Sequence, residues 1–274
     1  MIKKTCYRCG KSSDVFRYGI IYICVDCFSR LFGSRRAWSS RVFARLLEGK
    51  KTFVLFSGGK DSLCALTYTI EVVKAYNVKC SLKAIHVNTG ISLPGVEDYV
   101  KNVCNMLGVK LIVLKPEKSF EEYVLENGIP GRNRRWCCRV LKMEPIKKYI
   151  KRVRGEKILI DGVRRDESPR RSTRKIMTWF RYFPCPTVSP ILYWTSEEVE
   201  LFIRSRRLPV NPVYSTLDMS GECICGVFAT KKMFLKIKKE YPQFFQRLLN
   251  VEKLVKTGWT FIYEKGRRIP LSEL

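Results

Sequence analysis

The chain has 274 residues, and 46% of them are hydrophobic, the usual share for a globular protein with a buried core. Its longest apolar run, Ile20–Val25, is far shorter than the roughly 20 residues that a membrane-spanning helix needs. This excludes a membrane protein anchored by helices of this sequence. No apolar segment typical of a signal peptide precedes Cys9, so we expect a soluble cytoplasmic protein.

The chain is strongly basic, with 52 lysine and arginine residues against 25 acidic residues and a formal net charge of +27. Ten of the basic residues lie within residues 132–154, where Glu144 is the only acid. Such an excess favours contact with a polyphosphate through the release of counterions. We therefore predict a nucleic acid partner. A solvated basic surface is the alternative, although glutamate usually rises together with lysine on such surfaces.

Two Cys-x-x-Cys pairs lie near the start of the chain, formed by Cys6, Cys9, Cys24 and Cys27. Two such pairs are typical of a tetrahedral zinc site, in which each pair forms a tight knuckle that presents two thiolates. Four cysteines leave no open coordination position, so we predict a structural Zn²⁺ that also stabilises a segment too short for a core of its own. We assign residues 1–33 to this knuckle and residues 34–50 to a basic connector helix.

From Lys51 onward, strand and helix patterns alternate. Short apolar runs predict buried strands at Thr52–Phe56, Ser81–Val87, Lys110–Leu114 and Lys157–Ile160. Apolar residues at helical spacing predict the helices between them, and a capping box at residues 195–198 begins another. The alternation predicts an α/β fold for residues 51–215, with a doubly wound, mostly parallel sheet that binds ligands at the carboxyl ends of its strands. Residues 216–274 are predicted to form a helical region.

The residues Ser57-Gly58-Gly59-Lys60-Asp61-Ser62 lie between the first of these strands and its helix. Glycines let backbone amides approach an anion, and the N-terminus of a helix adds a favourable dipole. The motif resembles the PP-loop of the ATP pyrophosphatase superfamily, whose members cleave ATP between the α- and β-phosphates and have an adenine nucleotide alpha hydrolase-like fold. The resemblance implies that all six residues bind ATP. It also implies catalytic roles for Lys60, through its charge, and for Asp61, by helping to place Mg²⁺.

Further blocks resemble the phosphoadenosine phosphosulfate (PAPS) reductase family in their order along the chain: residues 86–90, 135–138, 162–171, 190–194 and 211–214. The resemblance implies that Val87, Thr89, Gly162, Arg164 and Arg171 bind the nucleotide, with the arginines facing phosphates. His86 is assigned no catalytic role. Reductases of this family carry a degraded loop and a nucleophilic cysteine near the C-terminus. Here the loop is intact, and no histidine follows the last cysteine, Cys225.

The Cys-x-x-Cys knuckle followed by a basic helix and the intact loop resembles the tRNA two-thiouridine synthetases, which hold an iron–sulfur cluster with three core cysteines. The candidate ligands here are Cys137, Cys138, Cys223 and Cys225, arranged similarly to the cluster of adenylylsulfate (APS) reductases, although the second pair is Cys-x-Cys. We predict a [4Fe–4S] cluster at these thiols. A second zinc ion or metal-free buried cysteines are the alternatives. Cys137, Cys138 and Cys223 are the predicted catalytic cysteines.

These observations predict an ATP-dependent sulfurtransferase that adenylates and thiolates a base of RNA, first of all tRNA, and releases AMP and pyrophosphate. An APS or PAPS reductase with an iron–sulfur cluster is one alternative, and an RNA-binding protein without catalysis is another. The sequence leaves open the modified base, the sulfur donor and the oligomeric state, a homodimer included.

Overall fold

The computed structural model describes residues 4–228, 230–255, 260–264 and 266–274. The strands are β1 Val15–Tyr18, β2 Ile21–Cys24, β3 Lys51–Leu55, β4 Ser81–Val87, β5 Lys110–Leu114, β6 Lys157–Ile160, β7 Met177–Thr178, β8 Thr187–Val188, β9 Ile262–Glu264 and β10 Arg267–Ile269. The helices are α1 Val25–Phe32, α2 Ser40–Leu47, α3 Lys60–Ala75, α4 Val96–Met106, α5 Phe120–Asn127, α6 Glu144–Arg152, α7 Ser196–Ser205, α8 Val213–Leu217, α9 Lys231–Glu240 and α10 Pro242–Leu254. A π-helix spans Cys138–Met143, and short 3₁₀ turns span Pro169–Arg171 and Leu271–Glu273.

A six-stranded sheet forms the centre of the fold, in the order β5-β4-β3-β6-β8-β7. Neighbouring strands are parallel except β7, which pairs antiparallel with β8. The chain proceeds from β3 through β4 to β5 on one side and then crosses to β6 on the other. The point at which the strand order reverses lies between β3 and β6, where sheets of this type bind ligands. The predicted α/β fold with a mostly parallel sheet is confirmed.

The predicted elements of the sheet agree closely with the observed ones. Strands β4, β5 and β6 have the predicted bounds, whereas β3 begins and ends one residue earlier than expected. The capping box at the start of α7 is also present, because Thr195 Oγ1 accepts from the Glu198 amide (3.1 Å) and Glu198 Oε2 accepts from the Thr195 amide (2.7 Å). Among the described helices, none is both long and apolar enough to cross a bilayer.

The N-terminal segment packs directly onto the sheet domain. Strands β1 and β2 form a hairpin, and Phe16 and Phe28 belong to the same buried apolar cluster as Phe43 of α2 and Val54 of β3. Helix α1 lies within the segment assigned to the knuckle, and the connector contains the eight-residue helix α2, whose N-terminus is capped by Ser39. The division at residues 33, 50 and 215 stays a prediction.

The C-terminal region is helical, as predicted, and it also contains a short hairpin that the sequence did not reveal. Helices α9 and α10 are followed by the hairpin of β9 and β10. Phe234, Leu248 and Phe261 from these elements pack in a second buried cluster, which also contains Cys137 and Cys225. Side chains of the C-terminal region therefore pack in the same cluster as two of the four core cysteines.

Candidate active site

The predicted phosphate loop joins β3 to α3 at the point where the strand order reverses. Gly58 has φ +89°, a left-handed conformation that favours glycine, and a Cβ atom on it would come 3.2 Å from Val100 Cγ2. The loop is held by its own serines, since Gly59 N donates to Ser57 Oγ (3.3 Å) and Ser62 Oγ donates to the Gly59 carbonyl (2.9 Å). The N-terminus of α3 therefore forms a preformed site for an anion.

Gly162, which follows β6, packs against the backbone of this loop. A Cβ atom at position 162 would come within 2.7 Å of the Asp61 carbonyl oxygen and of the Ser62 nitrogen, so no larger residue fits without movement. The structure thus brings Gly162 to the loop, as the sequence blocks predicted. Its contact with a nucleotide stays a prediction.

Asp61 is paired with Arg164, a buried arginine that follows β6. Arg164 Nε donates to Asp61 Oδ1 (2.8 Å), and Arg164 Nη2 donates to Asp61 Oδ2 (3.5 Å). Burial raises the pKa of the Asp61 carboxyl, although Arg164 opposes the rise. Arg164 takes up one hydrogen-bonding site on each carboxylate oxygen, and the role of Asp61 in placing Mg²⁺ stays a prediction. Arg171, the other predicted phosphate ligand, forms an ion pair with Glu167.

Lys60 is positioned by residues far away in the sequence. Its Nζ lies 2.7 Å from Glu200 Oε1 on α7 and 4.9 Å from the ring centre of Tyr214. Both partners of the ion pair are partly exposed, with 30% and 40% of their side chains accessible. Because exposed ion pairs contribute little stability, an incoming phosphate can compete with Glu200 for the lysine.

Residues 211–221 cover the loop, a role that the sequence did not predict. Buried Asn211 donates through Nδ2 to the carbonyl oxygens of Gly58 (3.3 Å) and Ser220 (2.9 Å), and the Lys60 amide donates to the hydroxyl oxygen of Tyr214 (3.3 Å). The Asn-Pro-Val-Tyr block was the signal for these residues, but not for their function.

The residues at the end of β4, which belong to the block at residues 86–90, contact this covering segment. β4 ends at Val87, and Thr89 is buried and donates from Oγ1 to the Glu222 carbonyl (3.0 Å). His86 is also buried, and its Nδ1 donates to the Phe56 carbonyl (3.0 Å), which agrees with a packed strand residue. Burial lowers the pKa of His86 and keeps it neutral.

The four core cysteines come together beside the phosphate loop. The Cys137 thiol donates to Cys225 Sγ (3.4 Å), and a hydrogen bond with Cys225 and burial raise the pKa of Cys223 well above its ordinary value. Ser220, which lies three residues before Cys223, contacts the loop: its Cβ is 3.7 Å from the position that a Cβ atom on Gly59 would take. The segment that covers the loop therefore leads directly to Cys223 and Cys225.

Cys138 differs from the other three because it favours the thiolate. A hydrogen bond from Cys137 and the charges of Arg135 and Lys142 lower its pKa to about 6, against the effect of burial. Cys138 also begins the π-helix, a feature that is frequent at functional sites. Lys142, from the same π-helix, forms an ion pair with Glu222 (2.5 Å) and so ties the Cys-Cys segment to the Cys-x-Cys segment.

The sheet domain matches a known protein family. Residues 51–220, more than half of the chain, match the phosphoadenosine phosphosulfate reductase domain family. The chain belongs to this family. An uncharacterized protein of Methanocaldococcus jannaschii is 32% identical over 205 residues, which are 74% of this chain and 41% of that protein. The chain therefore spans less than half the length of that relative.

Two proteins with sulfonucleotide reductase activity in their names are also similar to this chain. Adenosine 5'-phosphosulfate reductase 2 of Bacillus subtilis is 26% identical over 180 residues, which are 65% of this chain and 70% of that enzyme. The crystal structure of the PAPS reductase of Candida auris superposes with a TM-score of 0.52 at 17% identity, covering 69% of this chain and 89% of that one. At that identity the likeness concerns the fold alone.

The N-terminal cysteine site lies outside the region that matches the PAPS reductase family. Within the residues that the structure describes, Cys6, Cys9, Cys24 and Cys27 are the one set of metal-ligating atoms that all lie within 4.8 Å of one another. The distance from Cys9 Sγ to Cys24 Sγ is 3.7 Å, and sulfurs about 2.3 Å from one tetrahedral ion would be about 3.8 Å apart. These thiols fit a single metal ion, whereas the four core cysteines are less tightly grouped.

Proposed function

We propose that this protein is an ATP-dependent sulfurtransferase that replaces a carbonyl oxygen of an RNA base by sulfur, with tRNA as the RNA. The observation that carries the proposal is that the segment covering an intact phosphate loop continues into Cys223 and Cys225, the second of which lies against Cys137. Residues 220–223 connect the contact with Gly59 to the first thiol of the Cys-x-Cys segment. Thr89, two residues after β4, donates a hydrogen bond to the Glu222 carbonyl within this segment. In this proposal, nucleotide activation and sulfur chemistry take place at neighbouring sites that this segment connects.

The first step makes the base oxygen into a leaving group. The carbonyl oxygen of the base attacks the α-phosphorus of ATP, a new P–O bond forms, and the bond to the β-phosphate oxygen breaks to release pyrophosphate. The amides at the start of α3 and the charge of Lys60 stabilise the negative charge that develops on the phosphate oxygens. Lys60 becomes available by leaving Glu200.

The second step introduces the sulfur. Hydrogen sulfide ion attacks the adenylated carbon, the C–O bond to AMP breaks, and AMP leaves with the original base oxygen while the proton goes to solvent. Cys137, Cys138, Cys223 and Cys225 supply four sulfur ligands, the donor type that holds iron–sulfur clusters once the thiols are deprotonated. Such a group, when bound, would offer iron, which has a high affinity for sulfide. The N-terminal thiols would hold a structural Zn²⁺.

The net charge of +27 and the basic residues at 132–154 support RNA as the acceptor, because phosphate contacts dominate such binding. Reduction of adenylylsulfate is the second candidate function, and the similarity to the reductase of Bacillus subtilis favours it. A reductase would need no RNA and would not cleave ATP.

Nucleotide product analysis distinguishes the two functions. The protein, kept anaerobic, is incubated with ATP, Mg²⁺ and sulfide, with and without bulk tRNA, and separately with adenylylsulfate and a dithiol. We expect AMP and pyrophosphate only when tRNA is present, and sulfur in the tRNA by mass spectrometry. Release of sulfite from adenylylsulfate together with no cleavage of ATP would overturn the proposal.

A further inference from the structure

A cavity of about 520 Å³ lies beside the core cysteines and outside the phosphate loop. It is bounded by residues 129–134, by Gly226 and Val227, and by Phe261, Tyr263 and Arg268 of the C-terminal region. Its volume falls within the range of sites that bind small molecules or single nucleotides. None of the steps proposed above uses it.

The walls of the cavity are fixed close to the thiols. Gly226, the residue after Cys225, has φ +96°, and a Cβ atom on it would come 2.9 Å from Phe261 Cδ1 and 3.1 Å from the Pro130 carbonyl. Only glycine therefore lets the Cys-x-Cys segment pass between the hairpin and the turn. The turn itself is closed by reciprocal backbone hydrogen bonds between Gly131 and Arg134 (3.3 and 3.0 Å). The cavity and the cysteines thus share one rigid wall.

The chemistry of the lining indicates an unpaired nucleotide. Of the described residues that form it, three are arginines and none is acidic. Tyr263 is 67% exposed and presents its aromatic ring at the rim, near the exposed side chains of Arg132 and Asn133. Arginine forks contact phosphates, an aromatic face stacks on an unstacked base, and an asparagine amide bonds the base edge.

We propose that this cavity binds one unpaired nucleotide of RNA, with its base stacked on Tyr263 and its phosphate contacted by Arg132. This rests on the proposed function in one respect, since it identifies the RNA that is thiolated as single-stranded at the modified site. In this position the nucleotide lies against Gly226, the residue that follows Cys225. A paired base does not fit this mode of recognition, because both of its faces are covered by its neighbours in the helix.

The test measures RNA binding without turnover. A fluorescent single-stranded RNA oligonucleotide and its duplex are titrated with the full chain in the absence of ATP, and fluorescence anisotropy gives both affinities. We expect Tyr263→Ala to weaken binding of the single strand about tenfold or more, with Tyr263→Phe close to the unchanged protein. Binding of the duplex should hardly change. Tyr76→Ala is the matched control, since Tyr76 is 44% exposed and caps the far end of α3 from the phosphate loop.

A second readout locates the contact. An oligonucleotide with 5-bromouridine is crosslinked by light, and mass spectrometry identifies the attached peptide, which should contain Tyr263. Equal affinity of Tyr263→Ala and the unchanged protein for the single strand would overturn the inference. If Tyr263 supports RNA binding but tRNA induces no cleavage of ATP, the cavity stands and the proposed sulfurtransferase fails.

Discussion

Gly162 lies so close to Asp61 that a Cβ atom on the glycine would come within 2.7 Å of the aspartate's carbonyl oxygen. Gly162 follows β6 and Asp61 belongs to the first turn of α3, so the contact joins the two strand ends between which the strand order reverses. Arg164, two residues further, adds an ion pair to the Asp61 side chain. The residues after β6 therefore contact both the backbone of the loop, through Gly162, and the Asp61 carboxylate, through Arg164.

Replacing Gly162 by alanine should displace this loop. Because the contacting atoms are backbone, the loop must shift, and we expect a loss of about 1–3 kcal/mol in the free energy of unfolding together with weaker ATP binding. Urea denaturation and titration with ATP measure the two effects. Gly131→Ala is the control, since a Cβ atom there meets nothing within 4 Å. Normal stability and normal ATP affinity of Gly162→Ala would show that the loop tolerates the crowding.

Lys60 provides a test of the phosphate site. We expect Lys60→Met to lower RNA-dependent formation of AMP at least about 100-fold, as is typical for loss of one group that stabilises a transition-state charge. Glu200→Gln, which frees the lysine from its ion pair, should keep the rate and lower the KM for ATP. Lys74→Met, at the other end of the same helix, is the matched control. A Lys60→Met protein with an unchanged rate would remove the lysine from the reaction.

The sheet was predictable because its strands are continuous apolar runs. β4, β5 and β6 have the predicted bounds, and β3 differs by one residue because charged Lys51 pairs in register with both neighbouring strands. The strands that the sequence did not reveal are those of four residues or fewer in β1, β2 and β7–β10. β6 is equally short, but it stands in the alternation of strand and helix patterns, whereas these strands lie outside that alternation and are defined by backbone pairing.

The site was predictable where it depends on one contiguous motif. The phosphate loop and the N-terminal cysteines are local patterns, and the structure gathers each of them as expected. The pairing of Lys60 with Glu200, 140 residues away, and the cover from Asn211 depend on tertiary packing that no local pattern contains. The cavity at Tyr263 was missed for the same reason, since three distant segments form it.

The N-terminal thiols should bind one zinc ion that stabilises only the first segment. We expect Cys24→Ser to lose about one equivalent of zinc and to lower Tm, while the sheet domain remains folded because it has buried clusters that contain no residue of the first segment. Elemental analysis and thermal unfolding measure both quantities. Cys104→Ser changes a buried cysteine that does not belong to this group of four and should keep the zinc. Equal zinc content in the two variants would contradict the assignment.

The core cysteines allow a separate test of iron. After anaerobic purification we expect Cys223→Ser to lose most bound iron and all thiolation activity, because the Cys-x-Cys segment supplies half of the thiolates. Cys80→Ser, another half-buried cysteine, should retain both. If Cys225→Ser alone keeps full thiolation activity, that residue has no part in the sulfur path. Iron bound equally well by Cys223→Ser would exclude Cys223 as a ligand.

Lys50 should make stability depend on pH in the alkaline range. It is only 3% exposed, and burial lowers its pKa from 10.5 to about 8, with Glu156 opposing the fall. Below pH 8 the folded state carries the full cost of a buried charge, at most about 3 kcal/mol. Between pH 8 and 10.5 the unfolded chain binds the additional proton, so this contribution makes the folded state more stable as pH rises.

Lys50→Met removes the charge and keeps a long apolar side chain in the same place. We therefore expect the variant to be more stable than the unchanged protein at pH 7, by up to about 3 kcal/mol, and the difference to shrink steadily as pH approaches 10.5. Urea denaturation at a series of pH values gives the difference directly. Lys51→Met, at the exposed neighbouring position, should leave stability nearly constant relative to the unchanged protein. A difference for Lys50→Met that stays constant with pH would mean that packing, and not the buried charge, accounts for it.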